Sequence, residues 1–153
     1  NKAENKDAAI EASEALLVAY DAYINEDIEA AGDTLEGVNE KLLSKNARKI
    51  IKTLKEQVNQ QYLKQAYDAG MLAYNSGRND EAVEQLSKVV SMDEQYENGN
   101  ALYNLAQAYR KLENWEKAHE YYSRVSELFP NTSLAYNAGR YAAQIGNLLE
   151  QQP

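Results

Sequence analysis

The chain has 153 residues, a formal net charge of −8, no cysteine and a single histidine. That composition excludes disulfides, cysteine-ligated zinc and thiol nucleophiles, and the negative charge disfavours non-specific binding to nucleic acid or anionic membranes. There are only two prolines and seven glycines among abundant Ala, Leu, Glu, Lys and Gln, and no run of about 18 apolar residues, so the chain reads as all-α without membrane insertion by this segment.

The first helix is expected from an Asp7 N-cap to about Asn25, with Ile10, Ala15, Leu16, Ala19, Ala22 and Tyr23 as its apolar stripe. Residues 1–10 read as a polar leader. Asp27 caps a second helix running through Ala31, Leu35, Val38 and Leu42, with Gly32 and Gly37 inside it. A third helix, 46–76, is unusually long and ends at Gly77; some thirty residues span roughly 45 Å. Its cap is Asn46 or Ser44, and Arg48, Lys49, Lys52 and Lys55 give it the chain's one basic patch. Asn79 caps a fourth helix through Val90, and Glu97 to Asn100 form a turn. The fifth carries Leu102, Leu105, Ala106 and Tyr109. Asn114 caps the sixth, which carries Trp115, Ala118, Tyr122 and Val125 and stops at Phe129-Pro130. Asn131 or Thr132 starts a last helix through Leu149.

The helices repeat. Ala82, Leu86 and Val89 fall in register with Ala118, Tyr122 and Val125 at an offset of 36 residues, and with Ala31, Leu35 and Val38 at an offset of 51. Small residues (Ala19, Gly70, Ala106, Gly139) let the paired helices approach, and large ones fill the gaps between pairs. A chain that reuses one helical hairpin builds a stack, read for the surface it presents.

From Leu102 to Pro130 the pattern resembles the tetratricopeptide repeat, with Leu102, Leu105, Ala106 and Tyr109 in one helix and Trp115, Ala118, Tyr122 and Pro130 in or after the next. Val125 and Glu113 depart from it, Glu113 standing where glycine is common. The resemblance implies a right-handed α-α superhelix of antiparallel hairpins, about seven helices in all. The hairpins lie near 12–44, 60–94 and 98–130, with a capping helix over 132–150, in one array over 11–150.

In that family the first helices line a concave groove. The matching rungs are Leu16, Tyr67, Tyr103 and Tyr136, then Leu17, Asp68, Asn104 and Asn137, then Tyr20, Met71, Gln107 and Arg140, and beyond them Tyr74, Arg110 and Lys111. Tyrosine gives a flat apolar face with a hydroxyl, and asparagine both donates to and accepts from a peptide backbone. The resemblance therefore implies a non-catalytic module whose groove residues are Tyr67, Met71, Tyr74, Tyr103, Asn104, Gln107, Arg110, Lys111, Tyr136, Asn137 and Arg140. Lys64, Arg110, Lys111 and Arg140 favour an acidic segment of a protein or peptide partner, with no cofactor or metal. The opposing reading has these tyrosines packing between hairpins and the asparagines bonding within their own helices.

Two rivals stand beside this one. A homo-oligomer or scaffold would use Ile50, Ile51, Leu54 and Val58 of the long helix as its seam. An enzyme fragment is disfavoured by the absent Cys and by His119, which stands alone on an expected polar face. The polar, methionine-free start leads us to expect an extracytoplasmic domain of a membrane-anchored bacterial protein, its anchor removed.

Overall fold

The computed structural model describes residues 1–153. Its α-helices are α1 (Lys2–Ile24), α2 (Ile28–Glu36), α3 (Lys45–Asn75), α4 (Asn79–Met92), α5 (Asn100–Lys111), α6 (Trp115–Leu128) and α7 (Ser133–Glu150). Short 3-10 turns lie at Glu40–Leu42 and Tyr96–Gly99, and there are no strands. No helix is long and apolar enough to cross a membrane. The chain divides into two units, 1–62 and 63–153, where the sequence leads us to expect one array; α3 supplies residues to each.

In the first unit α1, α2 and the start of α3 close around Leu16, Ala19, Ala31, Leu35, Ile51, Leu54 and Val58. In the second unit Ala73, Ala82, Leu86, Leu105 and Ala108 form one cluster. Leu102, Ala106, Ala118, Tyr122, Val125, Ala138 and Ile145 form another, beneath α5, α6 and α7. Burial of these side chains drives folding, at roughly 25 cal/mol per Å² of apolar surface removed from water.

One turn is built three times. Asp27 N–H donates to Ala22 C=O and Glu26 N–H to Tyr23 C=O; Arg78 and Gly77 donate to Ala73 and Tyr74; Asn114 and Glu113 donate to Tyr109 and Arg110. Each is the pair of backbone bonds that ends a helix on a left-handed residue. That residue is Glu26 at φ 62°, Gly77 at φ 79° and Glu113 at φ 58°. Only Gly77 occupies the region without a steric cost. The next residue caps the following helix: Asp27 Oδ1 accepts from Ala30 N–H at 3.1 Å and Asn114 Oδ1 from Lys117 N–H at 3.3 Å.

Several expected boundaries move. The first helix begins at Lys2 with Asn1 as its cap, so most of the expected leader is helical. The second is shorter than expected: Gly37 is its C-cap, and the chain leaves the helix before Val38. Its backbone cost is removed by ending the helix there. Ser44, one of the two expected caps, accepts from Ala47 N–H at 3.1 Å. Asn79 is not a cap; it is the first residue of α4, and Arg78 takes the cap position with no side-chain bond to offer. Thr132 Oγ1 caps α7 through Ala135 N–H at 3.1 Å. His119 is half-buried beside Gly146 and does not stand on a free polar face.

Replacing Arg78 by Asp supplies the missing acceptor and should stabilise the chain by about 1 kcal/mol. Glu113→Gly relieves the left-handed position by about 1 kcal/mol. Thermal unfolding of the two variants and of the double variant checks both, and the gains should add. An unchanged or lowered midpoint for either would contradict the turn geometry.

Candidate functional site

The site is built within residues 63–153, on α3, α5, α6 and α7. Gln107 and Arg110 are three apart on α5 and share a face. Arg110 Nε donates to Tyr122 Oη at 3.1 Å and to Gln107 Oε1 at 3.3 Å, and Nη2 donates to the same Oε1 at 3.1 Å. The Tyr122 hydroxyl donates to Gln107 Oε1 in turn. The guanidinium carbon lies 4.6 Å from the centre of the Tyr141 ring, a cation–π contact worth about 0.5–2 kcal/mol. Tyr141 stacks on Tyr122 at 5.1 Å and 18°, and Tyr103 meets Tyr122 edge-on at 5.7 Å and 66°.

Tyr122 is wholly buried and its ring is the floor of this arrangement. Above it Tyr103, Gln107, Arg110 and Tyr141 are half-buried. Tyr74 stands near enough to act electrostatically on both Tyr103 and Arg110. No carboxylate pairs with Arg110; the ion pairs of the molecule are local exposed ones or links such as Arg124 to Glu94 and Lys55 to Glu40. Burial opposes the Arg110 charge, but the Tyr122 hydrogen bond and the surrounding phenol oxygens outweigh it and hold the guanidinium firmly cationic.

The remaining groove residues fall into two groups, with Asn104 apart from both. Tyr67, Met71 and Tyr74 are half-buried against the cluster around Ala73 and Leu86, and Tyr67 meets Tyr96 edge-on at 5.4 Å. Lys111, Tyr136, Asn137 and Arg140 are exposed, Tyr136 at 70%. Asn104 is half-buried and donates to the Asn100 carbonyl of its own helix at 2.8 Å, so one amide proton is already committed. The Gln107 carbonyl oxygen is likewise taken up by Arg110 and Tyr122. Lys64 is held by Asp68 at 2.7 Å, and both are solvated.

Three expectations need correction. Leu16 is 8% exposed and belongs to the core of the first unit, not to a groove. Ile51, Leu54 and Val58 are at most 3% exposed in the same core, so only Ile50 of the expected oligomer seam is free. Lys64 has its charge answered within its helix. Tyr122 and Tyr141 were not expected at the site. Tyr122 reads in sequence as the large residue of a hairpin, and Tyr141 lies one position past the expected rung. Nothing in the sequence signals that the Tyr122 hydroxyl meets Gln107 and Arg110, or that the Tyr141 ring backs the guanidinium.

Burial pushes the Tyr122 phenol far above its ordinary value of 10.0, against the opposing pull of Arg110. The folded chain therefore keeps this proton where the unfolded chain loses it. Its contribution is complete below about pH 10 and declines as pH rises beyond. Denaturant unfolding of the wild type should weaken steeply above that pH. Tyr122→Phe should cost about 1 kcal/mol at neutral pH and flatten the alkaline slope. Equal slopes in both proteins would place the phenol in water.

No three His, Asp or Glu side chains come together as metal ligands. Comparison with curated proteins and with solved structures returns no match. A family model described as tetratricopeptide repeat matches residues 67–131 and 103–151, together more than half of the chain. The matched stretch holds α4, α5, α6 and α7, two of the three repeated turns and the whole tyrosine–arginine cluster. The chain belongs to the tetratricopeptide repeat family, a family of protein-interaction modules.

Proposed function

We propose that residues 63–153 hold an acidic segment of a protein partner on the face that carries Tyr74, Tyr103, Arg110, Tyr136, Arg140 and Tyr141. The observation that carries this reading is Arg110. It is a half-buried cation, braced by Gln107 and Tyr122 and backed by Tyr141, with no carboxylate of its own. A positioned guanidinium of this kind offers its remaining N–H groups to a carboxylate at little further entropic cost, through a charge-assisted bond of about 1.5–3 kcal/mol. Lys111 and Arg140, both exposed, add positive charge. Tyr103 and Tyr136 supply flat surface for the segment's side chains. Asn137 is free to bond the visiting main chain, whereas Asn104 retains one proton and its carbonyl for that purpose.

A Glu-rich peptide, its Gln-for-Glu counterpart and a Lys-rich peptide serve as probes in fluorescence anisotropy. The Glu-rich peptide should bind best, and more weakly as salt is raised. Lys111→Ala with Arg140→Ala should weaken it about tenfold, or about 1.4 kcal/mol, with thermal stability unchanged because both side chains are exposed. Equal binding of the Glu and Gln peptides would overturn the reading.

A further inference from the structure

A groove of about 550 Å³ opens between α4 and α6, and none of the tyrosine–arginine cluster lines it. That volume falls within the roughly 300–1,000 Å³ of ligand-binding clefts. Its floor is Leu102 and Leu105 of α5, both fully buried. Val90 and Met92 come from α4 and Tyr121 from α6. Met92 is 44% exposed. The Tyr121 ring is fixed by its stack on Tyr109, at 5.6 Å and 3°.

Charge in this unit is sorted by helix. α5 and α7 carry Arg110, Lys111 and Arg140, and no acid before Glu150. α4 and α6 carry six acids against Lys88, Lys117 and Arg124, and the loop 93–99 adds Asp93, Glu94 and Glu97 with no base. Three of these acids, Glu94, Glu120 and Glu127, line the groove itself, with Arg124 as the one cation among the lining residues. Arg124 is divided between two of them, Glu94 at 2.8 Å and Glu127 at 3.1 Å. Glu120 is answered only by Lys117, at 3.2 Å on the surface, where solvated pairs are worth little. The same Lys117 ammonium lies 6.0 Å from the centre of the Tyr121 ring. Burial, then Tyr109, Glu120 and Glu94, push the Tyr121 phenol above its ordinary 10.0 against the pull of Lys117, so the carboxylates are felt at the ring.

We propose that the groove between α4 and α6 docks a basic segment of a protein partner. A lysine or arginine of that segment lays its stem along Val90, Met92 and Tyr121 and brings its charge to Glu120, Glu94 and Glu127. A long cationic side chain suits such a mixed lining, because its methylenes favour apolar walls while its head stays at the charged rim. The Tyr121 ring adds a face that attracts cations. A second copy of the chain fits less well. It carries a net charge of −8, and its Arg110 is half-buried and already braced by Gln107 and Tyr122. The groove and the tyrosine–arginine cluster share no residue and select opposite charge, so either reading stands or falls without the other.

The test uses the full chain and fluorescence anisotropy of a short peptide with two lysines among leucines, beside the same peptide acetylated on both lysines. The free-lysine peptide should bind at least tenfold more tightly, and more weakly as salt is raised. Glu120→Lys with Glu127→Lys should remove that advantage while leaving thermal unfolding unchanged, since both side chains are exposed. Glu84→Lys with Glu116→Lys makes the same change of charge on the same two helices, outside the groove lining, and should preserve most of the binding. Met92→Ser alters no charge and should weaken the peptide severalfold. Lys111→Ala with Arg140→Ala should leave lysine-peptide binding intact. Equal binding of the free and acetylated peptides would overturn the proposal. So would equal losses in the two Glu→Lys pairs, which would make the attraction diffuse. A dimer in light scattering that Glu120→Lys with Glu127→Lys dissolves would overturn it too, since a second copy would then be the occupant.

Discussion

The closeness of paired helices is the constraint on which the structure rests. Ala31, Ala82 and Ala118 are fully buried, as are Ala19 and Ala106, and Gly70 is buried with them. At Gly70 the approach is close: a β-carbon there would lie 2.8 Å from Cγ of the fully buried Leu86. At Gly139 the same test meets only Ser126 Oγ at 3.5 Å, an ordinary contact. Close crossings let Leu35, Leu86 and Tyr122 fill their interiors completely. The repeated turn sets the direction in which each second helix leaves, even where Glu26 and Glu113 occupy a conformation that glycine adopts more easily.

The tyrosine–arginine cluster follows from that packing. Tyr122 takes the large-residue position that Leu35 and Leu86 take elsewhere, and a buried tyrosine brings a hydroxyl that needs partners. Gln107 and Arg110 meet that need from α5. In doing so they lose the freedom of long surface side chains, and Arg110 is left facing outward with a fixed charge. In the function we propose, this structural hydrogen bond prepares a recognition surface, because a side chain already immobilised loses little further entropy on binding. Tyr103 and Tyr141, packed on the same ring, flank the guanidinium and exclude water from part of it.

Much of this was legible in the sequence, for identifiable reasons. Ala31, Ala82 and Ala118 recur in register because each hairpin imposes the same clearance, so the hairpins can be read from small residues alone. The left-handed position at Glu113 is legible as a glycine site held by another residue. The length of α2 is not, because Val38 and Leu42 pack on the core from outside the helix and mimic a helical stripe. The cap of α4 is not, because Asn79 is a better capping residue than Arg78 and the turn geometry overrides preference. At the site, Arg110, Tyr103 and Gln107 stand at positions that the family resemblance implies for a groove. Tyr122 and Tyr141 do not, since an aromatic residue at a packing position gives no sign in sequence that its hydroxyl or face reaches a neighbouring helix. Leu16 and Leu17 are adjacent, and their fates, core and surface, depend on a phase that only the packed helices fix.

The most direct measurement of the central claim is nuclear magnetic resonance of the arginine side chains in isotope-labelled protein during titration with an acidic peptide. Arg110 should show saturable shifts of its guanidinium resonances, with slowed exchange of its protons, while Arg124, already paired with Glu94 and Glu127, stays in place. An Arg110 spectrum that does not change while the peptide binds would contradict the account.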